Sequence, residues 1–135
     1  RPGKTPNRYI DGFAVHPQYA AEEMQAVSAA YGQDRGVRLR HWIISFEKNE
    51  LPDAWHADQF ARQACRFYAD TYQIVYSVHE DAAHQHIHFV MNMISYLDGA
   101  RYSGKKKDFY DYLDNLQGIA SLFDTYIMYV KDVDA

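Results

Sequence analysis

The sequence predicts an α+β domain, an antiparallel β-sheet backed by helices. Three observations carry that reading. Residues 37–46, 73–79 and 84–92 alternate apolar and polar side chains with the period of a half-buried strand. Residues 53–72 and 107–123 instead repeat apolar positions every three or four residues, as an amphipathic helix does. Only a short link, residues 80–83, separates the second and third strand-like stretches, so these two form a hairpin.

Taken in order, residues 1–16 read as irregular, broken by Pro2, Gly3, Pro6 and Asn7. A short extended piece runs from Tyr9 to Val15, with a turn at Asp11-Gly12. A helix is expected over residues 17–31, opened by Pro17 and stopped by Gly32. Tyr19, Met24, Val27 and Tyr31 form its expected buried side. The strand over residues 37–46 sets Leu39, His41, Ile43 and Ser45 on one face and Arg40, Trp42, Ile44 and Phe46 on the other. Asp53 is a suitable N-cap for the next helix, whose stripe of Ala57, Phe60, Ala61, Ala64, Cys65, Tyr68 and Tyr72 places Cys65 in the core. In the strand over residues 73–79, Val75, Ser77 and His79 face away from Ile74, Tyr76 and Val78. Asp98-Gly99 marks a turn. A basic loop then leads into the helix over residues 107–123, and residues 126–130 form a last strand.

The bulk properties bound the function. At 135 residues the chain is one domain with room for a core. A single cysteine excludes an internal disulfide and fits a reducing, cytoplasmic compartment. No apolar run is long enough to span a membrane. The chain starts at Arg1 and its first methionine is Met24, so the expectation is a fragment or processed product. A net charge of −4 argues against non-specific coating of nucleic acid. Basic residues nevertheless gather at Arg1, Lys4 and Arg8, at Arg35, Arg38 and Arg40, and at Lys105, Lys106 and Lys107. With twelve tyrosines interleaved, they suit a cationic, stacking path for a single strand.

Four of the seven histidines fall between His79 and His88. As a strand, His84, His86, His88, Val90 and Asn92 share one face; Ile87, Phe89 and Met91 share the other. Imidazoles gathered on one face hold Zn, Mn, Fe or Ni. In the simplest hairpin register His79 lies opposite His84 and diagonal to His86, within reach of the cluster. Spacing alone does not say which three of the four bind. His41 and Ser45 can join the same polar face.

The stretch His79-x-Asp81-x-x-His84-x-His86-x-His88, followed by Phe89-Val90-Met91-Asn92, resembles the metal motif of conjugative relaxases, the mobilization-type HUH single-strand endonucleases. Arg1-Pro2-Gly3-Lys4-Thr5, His41-Trp42-Ile43-Ile44-Ser45-Phe46 with Glu50, and Asp98-Gly99-Ala100-Arg101-Tyr102 resemble further segments of that family, so the likeness covers nearly the whole chain. It implies that His79, His86 and His88 ligate a divalent ion, Mn or Zn before Mg. It places Asp81, His84 and Asn92 around those ligands. It implies a bacterial enzyme that nicks single-stranded DNA at an origin of transfer through a 5′-phosphotyrosine, with accessory relaxosome proteins as further partners. Lys4, Arg8, Arg38, Arg40, His41, Lys105 and Lys106 are the expected DNA contacts. The family's nucleophilic tyrosine precedes the Pro-x-Lys-Thr-like segment, which puts it before Arg1, with Tyr9, Tyr110 and Tyr112 as substitutes. The whole of 1–135 would then be the metal- and DNA-binding domain without its first strand and nucleophile. Two other readings remain open at this point. One is a single-tyrosine insertion-sequence transposase, for which Tyr112 would be essential; the other is a non-catalytic, metal-stabilised DNA-binding module.

Overall fold

A computed structural model describes residues 9–81 and 83–133. Its elements are β1 (Ile10–Phe13), a one-turn 3-10 helix (Pro17–Tyr19) running into α1 (Ala20–Ala30), β2 (Leu39–Glu47), α2 (Ala54–Ala69), β3 (Ile74–Glu80), β4 (His84–Asn92), α3 (Lys106–Leu122) and β5 (Tyr129–Asp132). The strands form one sheet in the order β1-β3-β4-β2-β5, and every neighbouring pair is antiparallel. This is the α+β architecture expected.

Alternation decides which face is covered. Trp42, Ile44 and Phe46 of β2, Ile74, Tyr76 and Val78 of β3, and Ile87, Phe89 and Met91 of β4 point to one side, all essentially without exposure. On that side α2 lays down Ala57, Phe60, Ala61, Ala64, Cys65 and Tyr68, and α3 adds Tyr112, Leu116, Ile119 and Ala120. Trp42 is the centre of this layer. It stacks on Phe89 with ring centroids 5.2 Å apart, meets Tyr68 and Tyr112 edge-on, and donates its indole N–H to the Tyr112 hydroxyl at 3.0 Å. Aromatic pairs of this kind add roughly 0.5–1.5 kcal/mol beyond the area they bury. Cys65 lies in the core as expected, and burial holds its thiol pKa well above the usual value, so it is no ready nucleophile.

The opposite face carries the histidines. Among the described residues α1 meets it at the end of β4, where Ser28 and Met24 bond to Asn92, and beside Leu39 at the start of β2. That limited contact explains why Tyr19 and Tyr31, expected on the buried side of this helix, are 56% and 42% exposed, while Ser28 is buried. A helix that covers one end of a sheet needs a narrower apolar stripe than one lying across it.

Further expectations are corrected. Asp11-Gly12 is not a turn; both lie in β1, and the chain turns at Ala14, which takes a positive φ of 58°. Gly12 is there because a Cβ would meet the Val15 carbonyl oxygen at 2.5 Å. The third helix, Lys106–Leu122, runs as expected and keeps Gly118 inside it, where nothing stands within 4 Å of an added Cβ. α2 does begin behind Asp53, whose carboxylate accepts from the His56 backbone N–H at 2.9 Å, but it ends at Ala69, three residues early. The hairpin register also differs. His79 pairs with His86, not His84, because the link is tighter than the simplest reading: Asp81 N–H already donates to the His84 carbonyl at 3.0 Å.

Candidate metal centre

The register sets His79 directly opposite His86, Ser77 opposite His88, Ser45 opposite His86 and Ile43 opposite His88. Directly opposed side chains have Cβ atoms only about 5 Å apart. The expected ligand trio therefore lies on one face. The rings of His79 and His88 are 4.6 Å apart and those of His86 and His88 are 6.4 Å apart. His41 joins from β2, its Nε2 lying 3.3 Å from His88 Nδ1. With His84, five imidazoles thus share one face of the sheet.

His88 sits in the middle. Partial burial, then the neighbouring His79, His41 and His86 rings, depress its pKa to about 4. It is neutral at pH 7, the state a metal ligand requires. Its half-buried position between three other imidazoles fits a divalent cation, which would satisfy several lone pairs together.

His86 is held at both nitrogens. Nε2 donates to Asp81 Oδ2 at 3.1 Å, and Nδ1 accepts from the Ser45 hydroxyl at 3.3 Å. Any ion at His86 displaces one of these partners. Asp81 combines two roles. Oδ1 accepts the backbone N–H groups of Ala83 at 2.9 Å and His84 at 2.8 Å, closing the turn, while Oδ2 faces His86. Those backbone bonds, first of all, lower its pKa to about 2. His84 stands beside His86 with ring centroids 5.5 Å apart. Among the described residues, the donor atoms of Asp81, His84 and His86 all lie within 4.8 Å of one another.

Asn92 is elsewhere. It is fully buried and bonds to Ser28, Met24, Gln73 and Ile94, so it pins α1 to the sheet and touches none of the histidines. Two further residues support the hairpin. Ser77 bonds to His79 Nε2 at 2.9 Å, and its signal was its place in the alternation of β3. Gln85, 3% exposed, ties the hairpin to the loop after β2 through Leu51 N–H at 3.0 Å and Leu51 carbonyl at 3.1 Å. No periodicity marks a side chain that serves a loop.

The sequence matches the family described as relaxase, MobA/VirD2-like, nuclease domain, over residues 3–120. The chain belongs to that family. It is similar to the protein rlx of Staphylococcus aureus, at 27% identity over 96 residues, which covers 71% of this chain and 30% of that protein. A second Staphylococcus aureus protein rlx is 28% identical over 93 residues, 69% of this chain and 28% of its own length. The chain thus spans under a third of the length of the curated relatives it matches. No solved structure matches it.

In this relaxase domain the expected DNA contacts do not gather in one place. Lys4 and Arg8 lie outside the described residues. Arg38 is paired with Asp34. Arg40 is on the helical side, its guanidinium 4.5 Å over the Trp42 ring and bonded to Tyr68, Tyr102 and Asp132. Lys105 and Lys106 are exposed, and Lys106 shares a shallow pocket with Arg40, Tyr102, Phe109 and Asp132. Of the expected contacts, His41 is the one at the histidines. The tyrosines named as substitute nucleophiles are placed as follows. Tyr112 is fully buried in the helical layer, on the far side of the sheet. Tyr110 is 59% exposed on the same helix. Tyr9 packs against the edge of the core. None of the three stands on the histidine face. Among the described residues no helix is long and apolar enough to cross a membrane.

Proposed function

We propose that this domain is the metal- and strand-binding part of a DNA relaxase that nicks single-stranded DNA at an origin of transfer. The observation that carries the reading is the register of β3 against β4, which puts His79 opposite His86 with His88 beside both. Membership of the relaxase nuclease family supports it.

In this reading His79, His86 and His88 hold a divalent ion, Mn or Zn before Mg, since imidazole donors suit the borderline metals. When bound, the ion acts as a Lewis acid toward the scissile phosphate and orients it. The chain's own residues do the rest. Neighbouring rings and burial keep His88 neutral. Whichever of Asp81 and Ser45 keeps its bond when the ion takes the other ring nitrogen fixes the tautomer and the plane of His86. His41 backs His88 from β2. The open face admits an unpaired strand, and no element of the described chain crosses it above the histidines.

The attacking group is a tyrosine placed before Arg1. The tyrosine hydroxyl gives up its proton to water and its oxygen bonds to phosphorus while the phosphorus–O3′ bond breaks; the departing 3′ oxygen takes a proton from water and leaves as a free hydroxyl. The phosphotyrosyl link stores the bond energy, so the reverse reaction rejoins the strand. The burial of Tyr112 across the sheet weighs against the transposase alternative, in which a helix tyrosine attacks.

The test uses the longer natural protein, including the sequence before Arg1, with single-stranded oligonucleotides from the transfer origin. A covalent protein–DNA adduct on a denaturing gel, lost in His86→Ala, is expected. Residues 1–135 alone should bind the strand without forming an adduct. An absence of adduct with Mn, Zn and Mg in the longer protein would overturn the enzymatic reading and leave a binding module.

A further inference from the structure

We propose that the hairpin tip is a second divalent-metal site, formed by Asp81, His84 and His86, which competes with the three-histidine set for His86. The site stands on its own geometry; only the competition rests on the proposed function.

The three donor groups lie on one short piece of chain and already converge to within 4.8 Å. Asp81 Oδ2 and His86 Nε2 are 3.1 Å apart. Two ligands bound to a tetrahedral zinc at about 2.0–2.1 Å lie roughly 3.3 Å from each other, so an ion can take the place of the proton between them with little movement. The carboxylate is held for the purpose by the Ala83 and His84 backbone N–H groups through its other oxygen. The His84 ring stands beside His86 on the third side, with ring centroids 5.5 Å apart. Glu47 pairs with His84 in the register, on the same face, and offers a fourth donor position. Asp81 is exposed and the two histidines are half-buried, so an ion can enter from solvent.

Two imidazoles and a carboxylate select Zn, Cu or Ni over Mg or Ca. His86 cannot serve this site and the His79–His88 side at once. An ion at the hairpin therefore withdraws His86 from the three-histidine set. The hairpin becomes an inhibitory site that fills when zinc-like ions are in excess, and His84 is the residue that distinguishes it.

The experiment is calorimetric titration of the metal-free domain with zinc alone. A double variant, His79→Ala with His88→Ala, removes the other set and should retain one-to-one zinc binding within about tenfold of the wild-type affinity. Adding His84→Ala should weaken that binding by about a hundredfold or more. Loss of zinc binding in the double variant, its fold checked by circular dichroism, overturns the proposal, as does unchanged binding after His84→Ala. Should the double variant not fold, zinc is titrated into the intact domain and the histidine ring resonances are followed. Movement of the His84 ring supports the site; movement of His79, His86 and His88 with His84 unmoved overturns it. The proposed function fails by a different result, the missing adduct, so the two failures are separable.

Discussion

Asn92→Ala should be among the most damaging single changes outside the aromatic core. The side chain has no exposure and uses both ends of its amide. Its Nδ2 donates to Gln73 Oε1 at 3.0 Å and to the Met24 carbonyl at 3.2 Å. Its Oδ1 accepts from the Ile94 backbone N–H at 3.0 Å and from Ser28 Oγ at 3.3 Å. Truncation strands the buried Ile94 N–H and Gln73 oxygen, each at roughly 1–3 kcal/mol. Ser28 lines a groove beside α1, so it and the end of that helix can recover water. The expected loss is about 3 kcal/mol, or about 10 °C in Tm for a domain of this size. Urea unfolding followed by circular dichroism measures it directly. The Asn92→Asp variant tests the same reasoning by its sign. A buried carboxylate has a raised pKa, so the folded state favours its protonated form and this variant should lose stability as pH rises from 5 to 8. A change under about 0.5 kcal/mol in Asn92→Ala would refute the claim that this amide pins α1 to the sheet.

Other expectations follow from the same structure. Tyr76→Phe removes the hydroxyl that donates to Asp58, a carboxylate only 5% exposed that also receives Arg62 at 3.2 Å, and should cost about 1–2 kcal/mol in urea unfolding. Gly99→Ala forces a side chain at φ 76° and within 2.5 Å of the Tyr31 ring, so Tm should fall by several degrees and Tyr31 should become more accessible to iodination. The Asp53 cap has a depressed pKa, first through its bond to the His56 side chain and then through the His56 backbone N–H. Its stabilisation is therefore complete above the ordinary value of 3.8 and is lost as pH falls below it. Asp53→Ala should flatten that acid limb of a Tm–pH curve, and an unchanged limb would remove the cap from the account.

Much of this molecule was legible because alternation is a strong signal. The two faces of β2, β3 and β4, the apolar stripe of α2 and the grouping of His41, Ser45 and His79 with the histidine strand all follow from a period of two or 3.6. What escaped has a physical reason in each case. The hairpin register depended on Asp81 closing its turn with its own side chain, and loop closure of this kind leaves no periodic trace. Asp11-Gly12 resembled a turn, but Gly12 serves the close approach of the Val15 carbonyl. α1 was read with too wide a buried side because sequence does not reveal how much of a sheet a helix will cover. Asn92 belonged to the polar face by alternation, yet its distance along β4 from His86 and His88 put it in a structural network instead of at the metal. Arg40 looked like a strand-binding cation until its partners Trp42, Tyr68 and Tyr102, far apart in sequence, came together around it.

The most direct measurement of the central claim is thermal unfolding of the metal-free domain with Mn, Zn, Ni and Mg in turn, beside His86→Ala. His86 belongs to both donor sets, so its loss should abolish stabilisation by every ion. An ion at a hundred times its Kd contributes about 2.7 kcal/mol, which for this size raises Tm by about 10 °C. A rise of that order in the wild type, absent in His86→Ala, is the predicted result. No rise with any of the four ions would mean that the histidine face does not bind metal, and an equal rise in both proteins would contradict a site built on His86.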